Sequence, residues 1–208
     1  MPRKARQKAE SGIYHVMLRG IDRQLIFEDS EDYLRFLNIV QECREICGFQ
    51  LFAYCLMGNH VHLLLKVQND DLETVFKRIG GRYVYYYNVK YQRIGHLFQD
   101  RFRSEPVDDD AYFLTVLRYI HQNPVKAKLC SKVEDYPFSS FAEYLHESTC
   151  VDTEFAFSMI DRSEFARFSN APNTDTCMEY VTPARRAVTD TQAQVVIEQV
   201  SHCKTITE

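Results

Sequence analysis

Between Gly12 and Gly20 the chain reads GIYHVMLRG, with Ile13, His15 and Met17 alternating with Tyr14, Val16 and Leu18. A period of two predicts a first strand that ends at Gly20. The next segment, SEDYLRFLNIVQECREICG, sets Tyr33, Phe36, Leu37, Val40, Ile46 and Cys47 largely at helical spacing, with Ser30 as the N-cap candidate and Gly48 as terminator. The long apolar run FQLFAYCLMGNHVHLLLKV is interrupted by Gly58-Asn59. Gly-Asn is a two-residue hairpin signal, so residues 49–57 and 60–67 are expected to pair as strands. In DDLETVFKRIGGRYVYYYNVKYQ, Leu72, Phe76, Ile79, Tyr83 and Tyr86 or Tyr87 share one helical stripe, and Gly80-Gly81 marks a candidate bend. HLFQDRFRSEPV (96–107) alternates again and predicts a fourth strand. DDDAYFLTVLRYIHQNPVKAKL has the acid-rich start of a helix, expected to stop before Pro124 because a pre-proline residue disfavours helical geometry.

The order β-α-β-β-α-β-α describes an α+β fold: an antiparallel sheet with helices on one face, on the ferredoxin-like split βαβ plan. After DYPFSSFAEYL (135–145) the pattern weakens and the composition turns acidic. The chain therefore divides into a basic arm (1–11), a folded domain (12–147) and a partly helical acidic C-terminal extension (148–208) with a short helix expected over 189–200.

Charge sharpens this division. The formal net charge is −4, yet residues 1–130 hold 19 Lys+Arg against 16 Asp+Glu, and residues 131–208 hold 6 against 13. Phe76–Arg103 contains seven cations and one acid, Asp100, interleaved with aromatic residues. That excess suits a polyanionic partner, and equally a solvated helix face. No apolar run approaches the ~18–20 residues of a membrane span, and the basic start lacks the apolar segment of an export signal. Seven cysteines without a CxxC pair then read as reduced thiols in a cytoplasmic protein, with Cys43 and Cys47 as small buried hydrophobes.

Two segments carry candidate chemistry. In NHVHLLL, alternation puts His60 and His62 on one side of a strand, about 7 Å apart along the backbone, where two imidazoles can chelate one metal. In RYIHQNPVK, Tyr119 and Asn123 are four apart and share a helix face. Asn123 can offer an amide oxygen to a hard cation, and Tyr119 a phenol to a substrate beside it.

The segments MGNHVHLLL, GRYVYYYNVKYQRIGHLFQDRF, LRYIHQNPVKAKL and YPFSSFAEY, in this order, resemble the Y1 transposases of the HUH superfamily. They look most like the REP-associated tyrosine transposase branch, related to the IS200/IS605 enzymes. The resemblance covers about residues 10–145. It implies a catalytic domain over 12–147 that cleaves single-stranded or hairpin DNA and transfers strands through a 5′-phosphotyrosine, assisted by Mg²⁺ or Mn²⁺. By position, His60 and His62 match the HUH pair, Tyr119 the nucleophile and Asn123 the third metal ligand. Gln122, adjacent to Asn123, competes for that last role. Insertion-sequence members usually carry Gln at the third position and the REP-associated branch Asn, which favours the branch assignment. Monomer and homodimer are both compatible with the family, which swaps the tyrosine helix in some members.

With Tyr119 as nucleophile, the tyrosines of GRYVYYYNVKY become mostly packing. Tyr85 falls on the same side of its helix as Arg78 and Arg82, away from the apolar stripe, as a stacking platform for bases or a plain exposed ring. Arg3, Lys4 and Arg6 in the arm, and Arg101 and Arg103 near the fourth strand, are the other DNA-binding candidates. The competing reading is a ferredoxin-like DNA-binding regulator that does not cleave. No Walker-type GxxxxGK[ST] segment is present, which suits chemistry that needs no ATP.

Overall fold

A computed structural model describes residues 6–178. Four strands form one sheet: β1 (Ile13–Arg19), β2 (Gln50–Met57), β3 (His60–Lys66) and β4 (Arg103–Pro106), in the order β2-β3-β1-β4 with every neighbouring pair antiparallel. Helices α1 (Ser30–Cys47) and α2 (Leu72–Lys90) are the crossovers of the split βαβ plan, and α3 (Asp110–Lys126) follows β4. Three short helices complete the described chain: α4 (Phe141–Leu145), α5 (Glu154–Phe157) and α6 (Arg162–Asn170).

The β2–β3 hairpin turns at Gly58-Asn59 as expected, and both turn carbonyls are taken by the β1–α1 loop. Gly58 O accepts from Ile26 N at 2.8 Å, and Asn59 O from Gly20 N at 2.9 Å. Gly20 is required by the tight path of that loop, because a Cβ there would lie 2.3 Å from Gln24 O. The turn is thereby fixed one residue before His60.

Every residue of Ile13–Leu18 is buried, so both faces of β1 are covered. The α1–α2 pair closes one face: Phe76 of α2 packs at 4.7 Å on Phe102, which alternates with Arg103 and Glu105 and so points the other way from them. On the opposite face α3 brings Tyr119 over His15 and His62. The two crossover helices thus share one face, as the split βαβ plan requires, and α3 adds a layer on the other.

Four local expectations change. The N-cap of α1 is Asp29, whose side chain accepts from Asp32 N, and Ser30 is the first helical residue. α2 runs unbroken through Gly80-Gly81. β4 is limited to Arg103–Pro106; Leu97, Phe98 and Phe102 ahead of it pack as apolar cover, Phe98 beside Tyr83, joined to the sheet by a bridge to Gly20. α3 continues through Pro124, because burial of Ile120 and Pro124 outweighs the local bias against helix before proline.

The boundary expected near 147 is also displaced, since the packed unit reaches Met178. Asp152 N bonds Leu51 O at 2.7 Å, Phe155 packs on Phe52 and Phe113, and Phe165 stacks on Tyr144. Acidic residues face outward while these rings enter the core, so composition hid the continuity. The helix expected over 189–200 lies outside the described residues.

Cys43 and Cys47 are buried thiols on α1, and burial pushes Cys47 up to about 11. The tyrosine cluster anchors α2: Tyr83 donates to Ile26 O, Tyr86 and Tyr91 donate to Asp32, and Tyr87 donates to Glu28. Burial acts to raise the Asp32 carboxyl, but bonds from Glu28 N, Lys90, Tyr91 and Tyr86 outweigh it and hold it below its ordinary value. Its stabilisation is therefore present above about pH 4, the unfolded value, and is lost as pH falls through the lower folded value. Asp32→Asn is expected to cost roughly 1–3 kcal/mol at pH 7. The gap to the parent protein should close below pH 4 in urea titrations, and a gap that stays constant to pH 2 contradicts the assignment.

Candidate active site

The sheet register gathers side chains that are distant in sequence. His62 lies opposite Met17 on β1 and Cys55 on β2, and His60 lies opposite Arg19 and Met57. His15 lies opposite Leu64 and Glu105, one pair along from His62 on the same face. The result is a chain of contacts across three strands. Glu105 Oε1 is 2.7 Å from His15 Nδ1, and His15 Nε2 is 2.9 Å from His62 Nδ1. The His15 and His62 rings stack at 5.1 Å, and His60 meets His62 edge-on at the same separation. His60 Nδ1 is 2.6 Å from Asn59 Oδ1 in the hairpin turn. Both HxH rings thus use Nδ1 within the protein, and Nε2 is the nitrogen a cation would take.

Burial, helped by the Arg19 charge, lowers His60 to about 4. Burial, with His15 and His60 adding to it, holds His62 well below the usual histidine range. Both rings are therefore neutral at pH 7, the form that ligates metal. Burial acts to raise Glu105, but the bond and charge of His15, the Met178 N–H and the Tyr112 hydroxyl outweigh it, and the carboxyl lies below its ordinary value.

α3 supplies the other half. Tyr119 is buried, with its ring edge-on at 5.8 Å from His62 and 6.0 Å from His15, and Lys126 Nζ lies 4.8 Å from its centroid. One turn on, the Asn123 Nδ2 is buried with no hydrogen-bond partner. Its neighbours are committed elsewhere. Gln122 Nε2 donates to Ser169 O (2.7 Å) and Ala171 O (3.0 Å), and its oxygen accepts from Asn173. His121 is wholly buried, bonded to Ser140 Oγ, and lowered to about 3 by burial. Of the three consecutive polar side chains, Asn123 alone carries an uncommitted amide. Among the described residues no group of three or more His, Cys, Asp or Glu side chains is placed to hold a metal, so a cation at His60 and His62 would need a donor of another type, and the Asn123 amide is one of that type. The fit is chemical as well: three neutral donors, one of them an orphaned amide able to present its oxygen after a flip.

The DNA-binding candidates separate into distinct places. Arg78, Arg82 and Tyr85 occupy the exposed side of α2, on the sheet face away from the histidines; Tyr85 is 74% exposed and Arg82 pairs with Glu42 at 2.8 Å. Arg6 and Arg101 converge on Glu73, at 3.5 and 2.9 Å, with Arg6 stacked over Phe102. Arg103 lies opposite Met17, and so belongs to the histidine face. Arg3 and Lys4 lie outside the described residues. The local sequence pattern gives His15 a place in the first strand but no role, and nothing in it distinguishes Glu105 or Arg19. Their signal is the cross-strand register, which no local pattern contains.

Residues 8–123, more than half of the chain, match the family model described as "Transposase IS200 like" (Y1_Tnp). A putative REP-associated tyrosine transposase of Haemophilus influenzae is 32% identical over 123 residues, covering 53% of this chain and 69% of that protein. The REP-associated tyrosine transposase of Escherichia coli K12 is 23% identical over 136 residues, covering 64% and 78%. In fold, the chain is similar to a solved REP-associated tyrosine transposase bound to a REP hairpin, with TM-score 0.64 and 16% identity over 88% of this chain and 100% of that one. No helix among the described residues is long and apolar enough to cross a membrane. By the family model and the extent of these matches, the chain belongs to the IS200-like Y1 transposases, a family of enzymes.

Proposed function

We propose that this transposase cleaves and rejoins single-stranded DNA beside a hairpin, with Tyr119 as nucleophile and His60, His62 and Asn123 holding Mg²⁺ or Mn²⁺. The observation that carries the reading is the Tyr119 ring edge-on to His62, on the helix stripe that also bears Asn123. The Tyr119 oxygen attacks the scissile phosphorus and loses its phenolic proton; the bond from phosphorus to the 3′ oxygen breaks, and that oxygen leaves as a 3′-OH after taking up a proton. The downstream strand stays on the enzyme through its 5′ phosphate, as a phosphotyrosine ester. Attack by another strand's 3′-OH restores the phenol and a phosphodiester, so no ATP is consumed. When bound, the cation supplies Lewis-acid stabilisation of charge on the phosphate. The protein's own part is to keep both imidazoles neutral, hold the phenol against them by burial, and set Lys126 over its ring. The hairpin partner is suggested by the relative solved with a REP hairpin.

The test uses a 3′-labelled single strand carrying a hairpin, with Mn²⁺, followed by denaturing gels and mass mapping of the adduct. A covalent adduct on Tyr119 is expected. Cleavage without an adduct would indicate hydrolysis, and binding without cleavage would indicate the regulator. The amide assignment has a separate check by Mn²⁺ titration. Asn123→Ala should weaken binding on the order of 100-fold. Gln122→Ala should leave it intact while costing roughly 1–3 kcal/mol of stability through its lost bonds to the 169–173 segment. The reverse ranking would transfer the ligand role to Gln122.

A further inference from the structure

We propose that Arg19 is a further catalytic residue, whose guanidinium takes a non-bridging oxygen of the scissile phosphate, and that Arg103 holds a phosphate next to it along the strand. This role rests on the reading of Tyr119 as nucleophile and of the HxH pair as cation ligands. Arg19 lies directly opposite His60 in the β1–β3 ladder, and His62 and Arg103 flank Met17 from either side. Alternation puts Arg19, Arg103 and the two histidines on one face of the sheet, the face over which α3 brings Tyr119. Residues facing each other on antiparallel strands are about 5 Å apart, within reach of an arginine side chain. Burial first, and then the Arg19 charge, lower His60 to about 4, so the guanidinium is close enough for the ring to feel it.

The charges of this face suit an anion. Around the HxH pair its registered positions carry two guanidinium groups and one carboxylate, Glu105, which is bonded to His15. A divalent cation held by neutral donors would add positive charge. A phosphodiester brings negative charge, and attack by the Tyr119 oxygen concentrates more of it on the two non-bridging oxygens. With one of these left to the cation, Arg19 takes the other through paired N–H donors that an ammonium cannot reproduce. It stays protonated throughout and acts by charge and hydrogen bonding alone. The backbone fixes Arg19 from both sides: Gly20 N donates to Asn59 O at 2.9 Å, and Arg19 O accepts from Gln99 N at 2.8 Å. Its side chain is half-buried, as suits a donor set in place before the substrate arrives. Arg103 is exposed, as suits contact with a strand passing over the surface.

The experiment measures single-turnover cleavage of the 3′-labelled hairpin strand at saturating protein with Mn²⁺, and strand affinity separately, with melting curves to verify folding. Arg19→Ala should lower the cleavage rate on the order of 10²–10³-fold while changing strand affinity much less. Added guanidinium ion should restore part of that rate to Arg19→Ala and none to Tyr119→Phe. Arg19→Lys keeps the charge and gives a second, milder variant; it should recover only a fraction of the activity, and a wild-type rate would overturn the paired-donor role. Mn²⁺ affinity should hold or rise in Arg19→Ala, since a positive charge beside His60 is gone. Weaker Mn²⁺ binding would make Arg19 a support of the metal site and overturn its contact with phosphate. Arg103→Gln should weaken strand binding and lower its log–log salt slope by about 0.7, the value of one single-strand phosphate contact; an unchanged slope overturns the Arg103 role. Wild-type protein that forms no adduct overturns the nucleophile reading, and the Arg19 role falls with it. An adduct in wild type, with a rate in folded Arg19→Ala within about threefold, overturns the Arg19 role alone.

Discussion

Tyr119→Phe should abolish the covalent adduct and lower strand cleavage by on the order of 10³–10⁶-fold, with Mn²⁺ affinity unchanged. The substitution removes one oxygen and keeps the ring that packs edge-on against His15 and His62, so the fold and the two imidazoles have little cause to move. Other tyrosines are poorly placed to substitute. Tyr83 and Tyr87 donate their hydroxyls to Ile26 O and Glu28, and burial raises both phenols, Tyr87 to about 12. Tyr85 is open to solvent, but it belongs to α2, on the far side of the sheet from the HxH strand. A 3′-labelled adduct that persists in Tyr119→Phe at more than a trace would remove the nucleophile assignment. Loss of Mn²⁺ binding together with activity would show that the phenol supports the site rather than attacks.

How far the sequence could be read depends on the range of each interaction. His60 and His62 share a face by the period of the strand that contains them, and Tyr119 and Asn123 by the period of their helix; both are local facts. Gln122 and Asn123 are adjacent, but a residue step of about 100° around the helix sends them to different neighbours, and only Asn123 is in phase with Tyr119. The structure shows where the difference in phase leads: the Gln122 amide bonds to the 169–173 segment. His15 and Glu105 were beyond local reading, since ninety residues separate them and the β1–β4 register makes them partners. Pro124 shows the opposite failure. A local preference was correctly read but outweighed by burial of the surrounding α3 face. The same applies to Gly80-Gly81, whose weak helix propensity is overridden by the tyrosine hydroxyls that tie α2 to the 25–32 region.

Phe165→Ala should destabilise the folded unit by about 3–5 kcal/mol, although residue 165 lies in the acidic stretch that composition set apart. Its side chain has no exposed surface and stacks on Tyr144 at 4.4 Å, with Phe141, Phe157 and His121 completing the cluster. Removing the ring leaves a cavity that these rigid neighbours cannot readily fill, so the cavity cost adds to the lost burial. The consequence reaches the site through α3. The same segment holds Gln122 through Ser169 and Ala171, and Arg118 through a 2.7 Å pair with Asp175. These anchors flank Tyr119 on the helix that presents it. Urea denaturation of Phe165→Ala measures the loss, and amide exchange along α3 should rise in parallel if α6 braces that helix. A change below about 1 kcal/mol, with α3 protection unaltered, would instead make residues 148–178 a separable appendage, and a protein cut after residue 147 should then fold as well as the whole chain.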